Sequence, residues 1–124
     1  RESVVIVAHL ADFDMAWVKK ISEKLQQDYP DLVASGRFHG IHAPQERYPK
    51  LDVCPPFCSY NDNPQRVKWR SKQNVDYAFL MYYAAPLAPY YVQIEDDLNF
   101  SPNWILKMQD YLRQNYPPGF LSKE

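Results

Sequence analysis

Short apolar runs and helical stripes succeed one another along the chain and predict three strands and three helices. Ser3–His9 (SVVIVAH) is a β-branched run that alternates poorly, as a strand covered on both faces does. Trp17/Val18, Ile21 and Leu25 then recur at helical spacing, with Lys19, Lys20, Glu23, Lys24 and Gln26 mostly turned outward. Asp12 or Asp14 supplies the cap of this helix and Tyr29-Pro30 stops it. Asp31–Gly36 reads as a connector and Arg37–His42 as a second strand. Residues 43–64 are proline-rich, carry both cysteines and read as a long structured loop.

Asn63 as cap and Pro64 in the first turn open a long helix that runs to about Ala85. Val67, Ser71, Val75, Ala78/Phe79 and Tyr82 form its expected core stripe. Arg66, Arg70, Asn74 (with Gln73) and Tyr77 form a second, polar one. Pro86 and Pro89 end it, and Tyr90–Ile94 reads as a third strand. Ser101 as cap and Pro102 at the first position then open a last helix. Its apolar face is Ile105, Met108 and Leu112, and Pro117-Pro118-Gly119 terminates it.

The order β-α-β-loop-α-β-α is that of an α/β domain with a mainly parallel sheet and right-handed crossovers. Ligands of such sheets bind beyond the carboxyl ends of the strands, and Glu95-Asp96-Asp97 stands at one such end. A formal charge of −1 excludes a global field that recruits nucleic acid or an anionic membrane. No apolar stretch approaches the roughly 20 residues of a membrane span. Cys54 and Cys58, in CPPFC, fit neither a redox pair nor paired zinc-knuckle spacing; ordinary loop thiols and a short-loop disulfide stay open. The chain starts at Arg1 and stops shortly after Gly119-Phe120, which reads as a piece of a longer protein.

Three adjacent carboxylates repel one another. No lysine or arginine occurs in the eight residues before Glu95 or the nine after Asp97. A cation or a distant arginine is therefore the natural counter-charge. Hard cations take oxygen ligands, often one or two protein carboxylates with substrate phosphates filling other positions. In extended backbone Glu95 and Asp97 share one side and Asp96 faces the other. One acid can then hold the metal while another bonds a ligand hydroxyl. The competing reading is three solvated acids at a strand-to-loop junction.

RVKWRSKQNVDYAFLMYYA (residues 66–84) followed by YYVQIEDDLNFSPNW (residues 90–104) resembles the N-acetylglucosaminyltransferase IV family, the β-1,4-GlcNAc branching enzymes of N-glycans. VVIVAHLADFD and the Tyr48-Pro49 pair match more loosely, and CPPFC departs from the family pattern. The EDDL…SP segment is also similar to N-acetylglucosaminyltransferase I, which has the same kind of nucleotide-sugar domain. The resemblance implies a GT-A fold in which residues 1–124 are the N-terminal, Rossmann-like donor-binding part, without the acceptor half. It also implies UDP-GlcNAc as donor, an N-glycan acceptor on glycoproteins, Mn²⁺ (or Mg²⁺) as cofactor, and a membrane-anchored type II parent in the Golgi lumen. Glu95-Asp96-Asp97 takes the place of the DXD motif: Asp97 contacts the metal, and Glu95 and Asp96 hold donor hydroxyls or metal-bound water. Arg70 and Asn74 face the donor's uridine diphosphate. Asp76 is expected in a salt bridge or cap rather than on uracil.

His9, at the end of the first strand, stands where a nucleotide loop belongs; a buried or merely exposed histidine is the plainer reading. His39 and His42 point to opposite faces of the second strand and make no metal pair. Trp69 and Trp104 read as helix packing. Asn99-Phe100-Ser101 is a formal glycosylation sequon, but Pro102 follows it and no glycan is expected. An inverting transfer needs a base, expected beyond residue 124. Two readings compete with transfer. One is a non-catalytic GT-A-like module that binds sugar or protein, and the other is a structural α/β domain with its acids in water.

Overall fold

Ile6–His9 and Phe38–Ile41 are the strands β1 and β2 of a parallel pair in the register Ile6↔Phe38, Val7↔His39, Ala8↔Gly40 and His9↔Ile41. The structure, a computed structural model, describes residues 4–51 and 62–116. Cys54, Cys58 and Pro117-Pro118-Gly119 lie outside the described residues, so the readings made of them stand as sequence expectations. Contacts divide the chain into two compact units, Arg1–Tyr91 and Val92–Glu124.

In the first unit β1 leads into helix α1 (Met15–Asp28). Asp14 is its cap: the side chain accepts from the amides of Ala16 and Trp17. Asp12 in turn accepts from the Asp14 amide, so both candidate caps are used in series. The helix stops at Tyr29, as expected, and the Tyr29 ring stacks on Phe38 with centroids 5.9 Å apart.

The Asp31–Gly36 connector is instead mostly helical: Pro30 begins a short helix α2 (Pro30–Ala34). Gly36 closes it at φ +66°, with its amide on the Val33 carbonyl and the Arg37 amide on the Leu32 carbonyl. This is a Schellman turn, which a residue without Cβ makes at least cost. It delivers the chain into β2, because the Arg37 carbonyl accepts from the Ile6 amide at the start of the ladder.

Helix α3 (Pro64–Ala84) has the expected bounds and the expected Asn63 cap on the Gln65 amide. It packs on β1, and α2 packs on both α1 and β2. Its inward face agrees with the expected stripe at Phe79, with Val67, Ser71 and Val75 half-buried, and departs from it elsewhere. Tyr82 is 86% exposed, and Ala78 is exposed too. The residues that reach inward to partners on other elements are Lys72, Asp76, Phe79 and Tyr83. A lysine–aspartate pair in this face hides it from a search for apolar periodicity. Trp69, expected in packing, is 61% exposed. Among the described residues the buried apolar ones are Leu10, Val18, Ala43 and Leu51, all in this first unit.

The third strand does not form: residues 90–94 carry no ladder, and the boundary between the two units falls inside them, after Tyr91. Strand preference reflects fit to a paired surface rather than an intrinsic backbone state. Outside any described ladder, the same residues stay irregular. The described sheet is therefore β1–β2, and the α/β expectation holds at the coarser level of helices with a small parallel sheet.

In the second unit the chain turns at Asp96-Asp97 and enters helix α4 (Trp104–Asn115). The start lies two residues later than Ser101 and Pro102 suggest. Pro102 and Asn103 form a turn closed by the Trp104 amide on the Ser101 carbonyl, and Asn103 caps in the left-handed region at φ 61° without a side-chain bond. Phe100 stacks on Trp104 with centroids 4.2 Å apart, which favours the turn over an earlier helix start. Ile105, Met108 and Leu112 lie on the better-covered face of α4, as expected.

Candidate functional site

The carboxyl end of β1 in the first unit is surrounded by charged and aromatic side chains from three segments. The His9 side chain is 2% exposed, 3.9 Å from an Asp76 oxygen, and edge-on to the Phe79 ring. Among the described residues neither ring nitrogen has a hydrogen-bond partner. Burial lowers its pKa below the ordinary 6.5, and the nearby Lys72 and His42 add to this; the Asp76 charge opposes them and does not win. His9 is thus a neutral imidazole at pH 7, and the short separation from Asp76 is not an ion pair there.

Asp76 is occupied by stronger partners. Its carboxylate accepts from the Tyr48 hydroxyl and from the Lys72 ammonium, the latter at 2.9 Å. The salt-bridge role expected of Asp76 is what the structure has. Burial, and then the bond to Asp76, push the Tyr48 phenol far above the usual tyrosine range. Lys72 also donates to the Ala11 carbonyl and stands 5.0 Å from the Phe13 ring centroid and 5.3 Å from that of Tyr48. His42 Nδ1 donates to the Leu10 carbonyl at 2.9 Å, and the Leu10 amide reaches the Ile41 carbonyl.

His39, in contrast, links β2 to α3 through Tyr83 and closes on the Gly36 carbonyl, each at 2.8 Å. With Nε2 donating to that carbonyl, Nδ1 accepts from the Tyr83 hydroxyl.

Arg70 pairs with Asp62 at 2.6 Å, and Arg66 with the same carboxylate at 3.9 Å. Asn74 is exposed on α3. The described partners of His9 are thus on the Asp76–Phe79 part of α3, whereas Arg70 is engaged near the start of the helix.

In the second unit Glu95, Asp96 and Asp97 are all exposed, with Asp96 and Asp97 in a turn. Among the described residues no three His, Cys, Asp or Glu side chains gather as a metal cage. Their donor set is oxygen only. It suits a hard cation held by one or two carboxylates together with a ligand's phosphates, and does not suit an all-protein site.

Residues 1–120 match the family model described as the MGAT4 conserved region. The chain belongs to this family. It is 38% identical over 112 residues to the zebrafish (Danio rerio) alpha-1,3-mannosyl-glycoprotein 4-beta-N-acetylglucosaminyltransferase C, covering 90% of this chain and 24% of that protein. It is 44% identical over 97 residues to a chicken (Gallus gallus) alpha-1,6-mannosyl-glycoprotein 4-beta-N-acetylglucosaminyltransferase, covering 78% of this chain and 20% of the relative. The human (Homo sapiens) alpha-1,3-mannosyl enzyme B is 35% identical over 114 residues, 92% of this chain and 20% of the relative. The chain thus spans about a fifth to a quarter of the length of these relatives. No solved structure matches it.

Membership in the MGAT4 family bears out the resemblance read from residues 66–84 and 90–104. The residues that sequence reasoning missed are Lys72 and Tyr48. Lys72 sits four positions before Asp76, and on a helix a cation N-terminal to an anion is the weaker order for a surface pair. That order is the available signal that the pair serves another contact.

Proposed function

We propose that this chain is the donor-binding part of an enzyme that transfers N-acetylglucosamine from UDP-GlcNAc, in β-1,4 linkage, to a mannose of glycoprotein N-glycans. The observation that carries the reading is the family match over residues 1–120, together with relatives named as 4-beta-N-acetylglucosaminyltransferases. Those names divide between the α-1,3 and α-1,6 arms, so the proposal commits to mannose and to no arm. A GT-A fold, a Golgi-lumenal type II parent and an inverting mechanism belong to the same reading. Among the described residues no helix is long and apolar enough to cross a membrane.

In this reading Asp97, with Glu95, would hold Mn²⁺ or Mg²⁺, and Glu95 and Asp96 would bond donor hydroxyls or water at the metal. The metal, when bound, supplies Lewis-acid stabilisation of the departing diphosphate. Arg70 and Asn74 face the diphosphate and His9 lies by the nucleotide loop. The acceptor hydroxyl attacks the anomeric carbon, the bond from that carbon to UDP breaks, UDP leaves, and the hydroxyl proton passes to a base.

Calorimetric titration of UDP-GlcNAc into the full-length gene product, with and without Mn²⁺, tests this. Metal-dependent binding that Asp97→Ala abolishes supports the transferase. Metal-independent binding unaffected by Asp97→Ala points instead to a sugar-binding module and overturns it.

A further inference from the structure

Lys72 is a charged group drawn into the protein at some cost. Its side chain is 25% exposed and that of Asp76 14%. Taking both charges out of water is repaid only when geometry and further hydrogen bonds are good. Lys72 spends its bonds on two targets. One is Asp76, and the other is the Ala11 carbonyl, 61 positions away in the chain. That carbonyl is two residues past the end of β1, in the segment that joins β1 to the Asp12–Asp14 cap of α1. The preceding carbonyl, of Leu10, is taken by His42. Two successive carbonyls of the strand-end segment are thus fixed by side chains from separate elements. Tyr48 holds Asp76 from a third segment, and the Lys72 ammonium stands over the Phe13 ring, also in the β1–α1 segment.

The backbone beyond a parallel strand is where α/β proteins meet their ligands. Releasing such a segment is costly to binding, because a loop that is no longer preorganised must lose conformational entropy when the ligand binds.

We propose that Lys72, supported by Asp76 and Tyr48, is a positioning residue that sets the Leu10–Asp12 segment for the sugar-nucleotide donor. The proposal rests on the donor-binding reading given above. Lys72 touches the segment rather than the donor, so its effect is on donor affinity and not on the transfer step.

The test uses the full-length gene product and steady-state transfer with varied UDP-GlcNAc. Lys72→Met keeps the apolar stem and removes the donors. It is expected to raise the donor KM about tenfold, equivalent to roughly 1.4 kcal/mol of lost binding, with kcat changed less than about twofold on the same scale. Lys72→Arg is expected to recover part of the KM, since a guanidinium can still donate to both oxygens.

A purely structural role is separated by the double variant Lys72→Met/Asp76→Asn. Removing both charges leaves no uncompensated buried anion, so thermal stability recovers relative to Lys72→Met. The Ala11 carbonyl stays unheld, so the KM stays high. This variant also serves where Lys72→Met alone does not fold. An unchanged donor KM in Lys72→Met or in the double variant, in a preparation whose wild type is active, overturns the proposal and leaves the transferase reading standing. KM and stability recovering together in the double variant also overturns it. A wild type that neither binds nor turns over UDP-GlcNAc fails the transferase reading itself, and the proposal with it.

Discussion

At the scale of single residues, burial decides what a side chain can do. His9 is in an apolar run and reads from sequence as a strand-end histidine. The fold puts its ring 2% exposed against Phe79, with Asp76 already taken by Tyr48 and Lys72. Its folded pKa lies below 6.5, so between that lower value and 6.5 the unfolded chain binds the proton and the folded chain refuses it. Stability therefore falls as the pH drops through this window, and the contribution is fully present above about 6.5. Urea midpoints from pH 7 to pH 5 are expected to fall less steeply in His9→Leu than in the wild type; parallel curves would refute the assignment. Asp97 is exposed, so no buried network depends on it. Asp97→Ala is expected to leave the melting temperature within about 2 °C, as a surface change within about 0.5 kcal/mol does, while removing metal-dependent donor binding. A large loss of stability would mean that Asp97 is structural. The acids at 95–97 were legible because they are adjacent and lack local cations. Lys72 was not, because nothing along the chain connects it to Ala11.

At the scale of elements, local chemistry did well where it is self-contained. The Asn63 cap with Pro64 opens α3, and the Asp14 carboxylate opens α1 with bonds to residues two and three positions on. Asp14→Ala is expected to cost about 1 kcal/mol of stability, read as a lower urea midpoint. Gly36 closes α2 at φ +66°, with no atom within 4 Å of the place a Cβ would occupy. The cost of Gly36→Ala is thus conformational, about 1 kcal/mol, with no added clash. A neutral result in denaturation would show that this turn does not need the left-handed region. Local reading failed where an element depends on a partner. Tyr90–Ile94 has strand composition but joins no described ladder, and Ser101-Pro102 has cap chemistry while α4 starts at Trp104, beside the Phe100–Trp104 stack.

At the scale of the molecule, the described residues hold a two-stranded parallel pair and four buried apolar residues, a small core, and parallel sheets normally have both faces covered. The chain spans about a fifth to a quarter of its relatives. A chain of that share is expected to show no GlcNAc transfer by itself under conditions where the full-length product is active. Turnover by the isolated chain would break the proposed division of labour. Sequence by itself determined the family, the first two strands, the long helix with its cap and the cluster of acids. Each of these is written in neighbouring residues, through spacing, capping chemistry and adjacent charge. Tertiary structure alone decided which face of α3 is inward, that Tyr48, Lys72 and Asp76 converge on the end of β1, and that His9 is uncharged. These follow from contacts between distant segments and from the water those contacts exclude, and neither quantity is carried by any short stretch of chain.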